Sequence, residues 1–156
     1  MSDTHSPAGS PEPLRVALWN PNAAANWSLL FTPAFGAYLQ MLNWRALGKA
    51  DAEAASLKWV YASLGFLALV ILLTFAIPDS KAFDGLTRSF GFGFLFAWYF
   101  TSGRAQANYV KEHFGKDYPR KPWTKVLAGG VAFVLAYFVV VFVVVFVLSL
   151  LGLLPE

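Results

Sequence analysis

From Val131 to Leu148 the chain is an unbroken apolar block, mostly Val and Phe, with no charged residue. A run of that length matches one crossing of a hydrocarbon layer ~30 Å thick. Val is a mediocre helix former in water. In lipid, however, every backbone N–H and C=O needs an internal partner, and a helix supplies them all. The rest of the chain fits the same solvent. It is 57% apolar and only 13% charged over 156 residues, whereas soluble domains are roughly a quarter charged. So short a chain lacks the volume to hide that much apolar surface from water. Both simple solubility and disorder of the whole chain are therefore disfavoured.

The pattern predicts an all-α integral membrane four-helix bundle, residues 20–156, behind a disordered polar tail at 1–19 rich in Pro, Ser and Gly. The tail has no apolar core and so is no secretory signal. Spans are expected at about 21–47, 58–77, 86–103 and 123–153. The first opens on Asn20-Pro21, a good N-cap followed by a favoured first-turn Pro, and closes at Gly48. Pro33 should kink it. It is the least apolar of the four, and a re-entrant or surface-lying segment is the competing reading. The second ends at Pro78-Asp79. The third carries Phe90, Phe92, Phe94, Phe96, Trp98, Tyr99 and Phe100, with Asp84 and Arg88 spaced to pair. The fourth exceeds one bilayer thickness and should tilt or protrude.

Basic residues orient the chain. Arg104, Lys111, Lys116, Arg120, Lys121 and Lys125 fall in the 104–125 connection, and Arg45, Lys49 and Lys58 in the 45–58 connection. Both connections are expected on the cytoplasmic side and the C-terminus on the periplasmic side of a bacterial inner membrane. If the first segment is re-entrant, only the tail changes side.

Ser28, Thr32, Gly36, Gln40 and Asn43 recur at helical spacing and share one face of the first segment. Helix packing is the simpler reading of this stripe; a partner face or a water-filled path is the sharper one. On the last helix Ala128, Ala132 and Ala136 form a small-residue seam opposite a ridge of Phe138, Phe142 and Phe146, both expected to pack in the bundle or at a homo-oligomer seam. Gly91, Gly93 and Gly103 are expected at close helix approaches. In the basic connection, 105–114 reads as a short amphipathic surface helix ending at Gly115. Arg104, Lys111, Arg120, Lys121 and Trp123 are its candidate contacts with lipid headgroups or a cytoplasmic partner.

Catalysis has little to stand on. The chain has no Cys, and none of the metalloprotease, hydrolase or nucleotide signatures is present. Glu112, His113 and Asp117 are the one acid–base cluster, in a solvated loop. No charge lies deep within a span, which argues against a proton-coupled carrier. No cofactor, metal or nucleic-acid partner is expected.

The stretch Trp19-Asn20-Pro21-Asn22, Phe31-Thr32-Pro33-Ala34-Phe35-Gly36-Ala37-Tyr38, Asn43-Trp44-Arg45-Ala46-Leu47-Gly48-Lys49 resembles the opening of small multi-pass bacterial inner-membrane proteins. Ala105 to Lys111 and Tyr118 to Trp123 resemble their loop, so that the likeness covers about a third of the chain. Some proteins of that kind are immunity partners of antibacterial toxins. The resemblance implies a non-enzymatic inner-membrane protein that binds and neutralises a toxin. The alternatives are a small channel or transporter subunit with its polar path along the Ser28–Asn43 stripe, and a structural subunit of a membrane complex.

Overall fold

The computed structural model describes residues 16–77 and 81–152. The tail at 1–15, the Pro78-Asp79 stop and the chain beyond 152 lie outside the described residues. The fold is all-α, in the order α1 (Pro21–Ala46), α2 (Ala50–Ala76), α3 (Lys81–Trp98), a π-helical stretch (Tyr99–Gly103), α4 (Arg104–Phe114) and α5 (Thr124–Leu150). No strand occurs among the described residues; a lone backbone bridge joins Leu18 to Arg120.

The first segment is not a kinked rod. Thr32 has φ 74° and ψ 160°, and the chain reverses there. Trp19 N–H donates to Asn43 Oδ1 at 3.0 Å across 24 residues. A straight helix would set residues that far apart by ~36 Å. Gly36 lies so close to Ser28, eight positions earlier, that a Cβ on it would overlap the Ser28 hydroxyl. α1 is therefore a helical hairpin, with limbs at 21–31 and 33–46, about 16 and 21 Å long. Pro33 explains the position of the break. Its ring pushes the preceding residue out of the helical region, and its missing N–H suits the first turn of the second limb. The expected kinked helix over 21–47 is thus corrected: the segment folds back on itself at Thr32.

Two helices are long and apolar enough to cross a membrane, Ala50–Thr74 at mean hydropathy 1.9 and Thr124–Leu150 at 3.3. α2 starts at Ala50 rather than 58, because Leu47 to Lys49 suffice to turn the chain. Gly48, at φ 67°, closes that turn, with its N–H on the Arg45 carbonyl at 3.1 Å. Asp51 and Glu53 then sit in the first turn of α2, where the helix dipole favours acidic groups. α3, the π stretch and α4 run on as one helical rod from 81 to 114, so the expected third span is the middle of a longer element.

The core lies where α3 enters the hairpin. Trp98, 1% exposed, wedges against Ala37 and Leu95, with Ala25, Trp59, Val60 and Tyr99 around it. Phe94 stacks on Phe66 at 5.0 Å and meets Trp59 edge-on at 5.5 Å, tying α3 to α2. Gly36 is required here, because any Cβ would strike both Ser28 and the Trp98 ring.

α5 stands apart from this core. Gly130 is its one buried residue among those described, seated under the rings of Phe31 and Phe35. Ala128, Ala132, Ala136 and the Phe138, Phe142, Phe146 ridge are all exposed, contrary to the expected bundle packing. Gly91 and Gly93 likewise face open space, whereas Gly103 does make a close approach, to Tyr99 and Gln40. The Asp84–Arg88 pair is not formed. The ion pair among the described residues is Arg45–Glu53 at 2.7 Å.

Candidate functional site

The polar stripe of α1 turns inward. Ser28, Gln40 and Asn43 are at most 1% exposed, and Gly36 is buried with them. Asn43 is the hub. Its Nδ2 donates to the Trp19 carbonyl at 2.8 Å and to Gln106 Oε1 at 3.1 Å, while its Oδ1 takes the Trp19 N–H. Gln106 Nε2 donates to the Gln40 carbonyl at 2.9 Å, and Ser102 Oγ donates to Gln40 Oε1 at 3.1 Å. Buried amides need such partners, since an unpaired one costs several tenths to a few kcal/mol. The π stretch contributes by placing Ser102 and Gly103 beside Gln40. Ser28 is satisfied within its own limb, by the Ala24 carbonyl at 2.9 Å. Thr32, at the hairpin tip, is half-buried and its Oγ1 has no partner, nor have Gln40 Nε2 and Trp98 Nε1.

Gln40 and Asn43 are therefore internal joinery with Ser102 and Gln106, Gly36 and Ser28 meet where the limbs approach, and Thr32 stands apart at the tip. Gly36, Gln40 and Asn43 are buried and present no exposed lateral face, whereas Ser28, itself 1% exposed, and Thr32 border a groove shared with Ser63, Phe66 and Leu95.

A clasp closes over this network. The Leu18 N–H donates to the Pro119 carbonyl at 2.9 Å, and the Lys121 N–H donates to the Leu18 carbonyl at 3.0 Å. Leu18 is fully buried, and Trp19 Nε1 donates to the Pro122 carbonyl at 3.2 Å. The tail boundary expected at 19 is thus corrected: residues 16–19 belong to the folded body. The Lys121 ammonium lies 4.3 Å from the centre of the Trp19 ring.

The candidate basic contacts separate accordingly. Arg104, Lys111 and Arg120 are exposed, while Lys121 and Trp123 are half-buried. α4 is amphipathic as expected, but its apolar face serves the fold: Val110 is buried, and Tyr109 packs edge-on against Trp44 at 5.1 Å. Lys49 lies over the other part of this aromatic group, 5.5 Å from the Tyr109 ring. Burial pushes the Tyr118 phenol above its ordinary range, opposed by Arg120, whose guanidinium lies 5.7 Å from the ring. Glu112, His113 and Asp117 are all exposed, and His113 Nδ1 is 2.9 Å from the Tyr109 carbonyl. No cluster of groups able to hold a metal ion occurs among the described residues.

A cleft of about 450 Å³ opens between the hairpin tip, α2 and α5. Phe31, Phe35, Val60, Leu64, Gly129 and Phe133 are among its lining residues, and Lys125 stands at its basic end. Sequence reasoning missed this cleft, together with Trp19, Trp98, Ser102 and Gln106. For the polar pair a signal existed: two amides on one buried stripe demand partners elsewhere. No family model, curated protein or solved structure matches this chain.

Proposed function

We propose that the protein is a non-enzymatic, multi-pass inner-membrane protein that binds its partner laterally, within the bilayer, as an immunity or protective protein against a membrane-active toxin. The observation that carries the reading is α5. It is a 27-residue apolar helix with Gly130 as its one buried residue among those described. Its Phe138, Phe142 and Phe146 ridge is exposed, with Phe142 stacked on Phe146 at 6.3 Å. In water such a surface is untenable; in a bilayer it is free to meet another helix. The exposed acid–base groups and the closed polar network support a binding role over a catalytic one. The buried hydrogen bonds of Gln40 and Asn43 favour packing over a channel path along the stripe.

In this reading α2, the 81–114 rod and α5 cross the bilayer, and the α1 hairpin dips in from the cytoplasmic face. Irregular backbone at that depth is tolerated where protein packs against it, and here Thr32 and Pro33 are half-buried against the rest of the fold. The clasp hydrogen bonds of Leu18 with Pro119 and Lys121 support residues 16–20 lying on the same side as the 115–123 connection. Among the described residues Lys81 and Arg88 are then the basic ones left on the periplasmic side. Reporter fusions before Val16 and within 115–117 should both read cytoplasmic, and a C-terminal fusion periplasmic. A periplasmic N-terminus overturns the hairpin topology. For the role, loss of the chain should sensitise cells to the toxin of a rival strain, and Phe142→Ala should weaken protection. Killing unchanged by deletion across a panel of membrane-active toxins rejects it.

A further inference from the structure

Resting on the membrane reading above, we infer that the cleft between the hairpin tip, α2 and α5 is a site for an anionic phospholipid, one acyl chain filling it and Lys125 holding the headgroup. The cleft's size, about 450 Å³, falls within the ~300–1,000 Å³ of small-molecule sites. Its walls are mostly apolar, Phe31, Phe35, Val60, Leu64 and Phe133 among them, and suit a hydrocarbon chain. It follows α5 from Lys125 to Phe133, about 12 Å of helix rise, from the basic end of the molecule toward the middle of the helix. That direction is the one an inner-leaflet chain takes from headgroup to tail.

Charge selects the occupant. Lys125 is the one charged side chain of the lining and has no ion-pair partner among the described residues. The first turn of α5 has no acidic residue, and Trp123 provides no side-chain cap. Lys121 and Arg120 precede it in the clasp. Basic pockets between membrane helices on the cytoplasmic side take anionic headgroups in this way. A second copy of the chain in the same orientation would instead bring its own Lys125 and clasp lysine to the same level, setting like charges together.

The test uses the full chain, purified in mild detergent, with phosphatidylglycerol and phosphatidylcholine of identical acyl chains, read by native mass spectrometry. The wild type should retain one phosphatidylglycerol about fivefold over phosphatidylcholine, the equivalent of roughly 1 kcal/mol for one basic group at an anionic surface. Lys125→Gln should abolish the preference. Gly129→Leu should lose both lipids without disturbing the fold, because a Cβ at Gly129 meets nothing within 4 Å. Equal retention of the two lipids, or retention unchanged in both variants, overturns the site. So does a disulfide-linked dimer through Gly129→Cys, the sole thiol in such a variant, since a second copy would then cover the cleft. Alkaline carbonate extraction of cell membranes separates the two failures. A chain that stays with the membrane but shows no lipid preference loses the site alone, whereas a chain released from it loses the membrane reading.

Discussion

Thr32→Gly reverses sign depending on whether α1 folds back or runs straight. At φ 74° and ψ 160° Thr32 occupies backbone space that is essentially reserved for glycine. Holding a β-branched residue there costs on the order of 1–3 kcal/mol, which glycine would relieve. The substitution also removes a hydroxyl whose buried oxygen has no partner. Against this stand about 0.5–1 kcal/mol of extra chain entropy for glycine and roughly 0.8 kcal/mol for the two half-buried side-chain carbons lost. The balance is a stabilisation of about 1 kcal/mol. In a continuous helix the same change would destabilise by a similar amount, because glycine is among the poorest helix formers and no strain would be relieved. Reversible unfolding of the detergent-solubilised protein by sodium dodecyl sulfate measures the difference. Thr32→Ala is the control: it keeps a Cβ and should not gain the strain relief. A glycine variant less stable than wild type, beside an alanine variant more stable than it, would refute the hairpin.

Gly36→Ala should destabilise by about 1–3 kcal/mol or more in the same assay, since its methyl must displace both Ser28 and the Trp98 ring. Asn43→Leu should cost about 3 kcal/mol, because it strands the Trp19 N–H and carbonyl and one end of Gln106. It should also open the chain near Trp19 to proteolysis in intact membranes. The Tyr118 phenol ionises above its ordinary range, so the folded state favours its protonated form. Its stabilising contribution is present below the unfolded phenol's pKa and is lost as pH rises through the folded value. Ultraviolet titration against Tyr118→Phe should show the shift, and Arg120→Ala should move it further upward.

Helix type and number of apolar blocks were legible because they depend on local composition. The Val131–Leu148 run could be little else, and Gly48 and Gly115 mark turns where the structure has them, at φ 67° and 63°. What the pattern could not tell was a reversal inside a helical period. A stripe at spacings of four and three looks the same on one rod and on two limbs folded together, and Pro33 is compatible with either a kink or a full break. The inward turn of Gln40 and Asn43 depended on partners more than sixty residues away, Ser102 and Gln106, which no local window contains. The α5 seam misled for the opposite reason. Regular spacing of Ala and Phe reports that a face exists, and says nothing of whether this chain or another molecule covers it.

The clasp has a consequence for biosynthesis. Trp19 waits for an acceptor 103 residues downstream, the Pro122 carbonyl. At ~5–20 residues per second the ribosome needs roughly 5–20 s to supply it. For most of that interval the hairpin, complete at Ala46, has been made but cannot be sealed. A chaperone that shelters the nascent amino-terminal region would therefore matter more here than for the last helix, whose folding waits on no such distant latch.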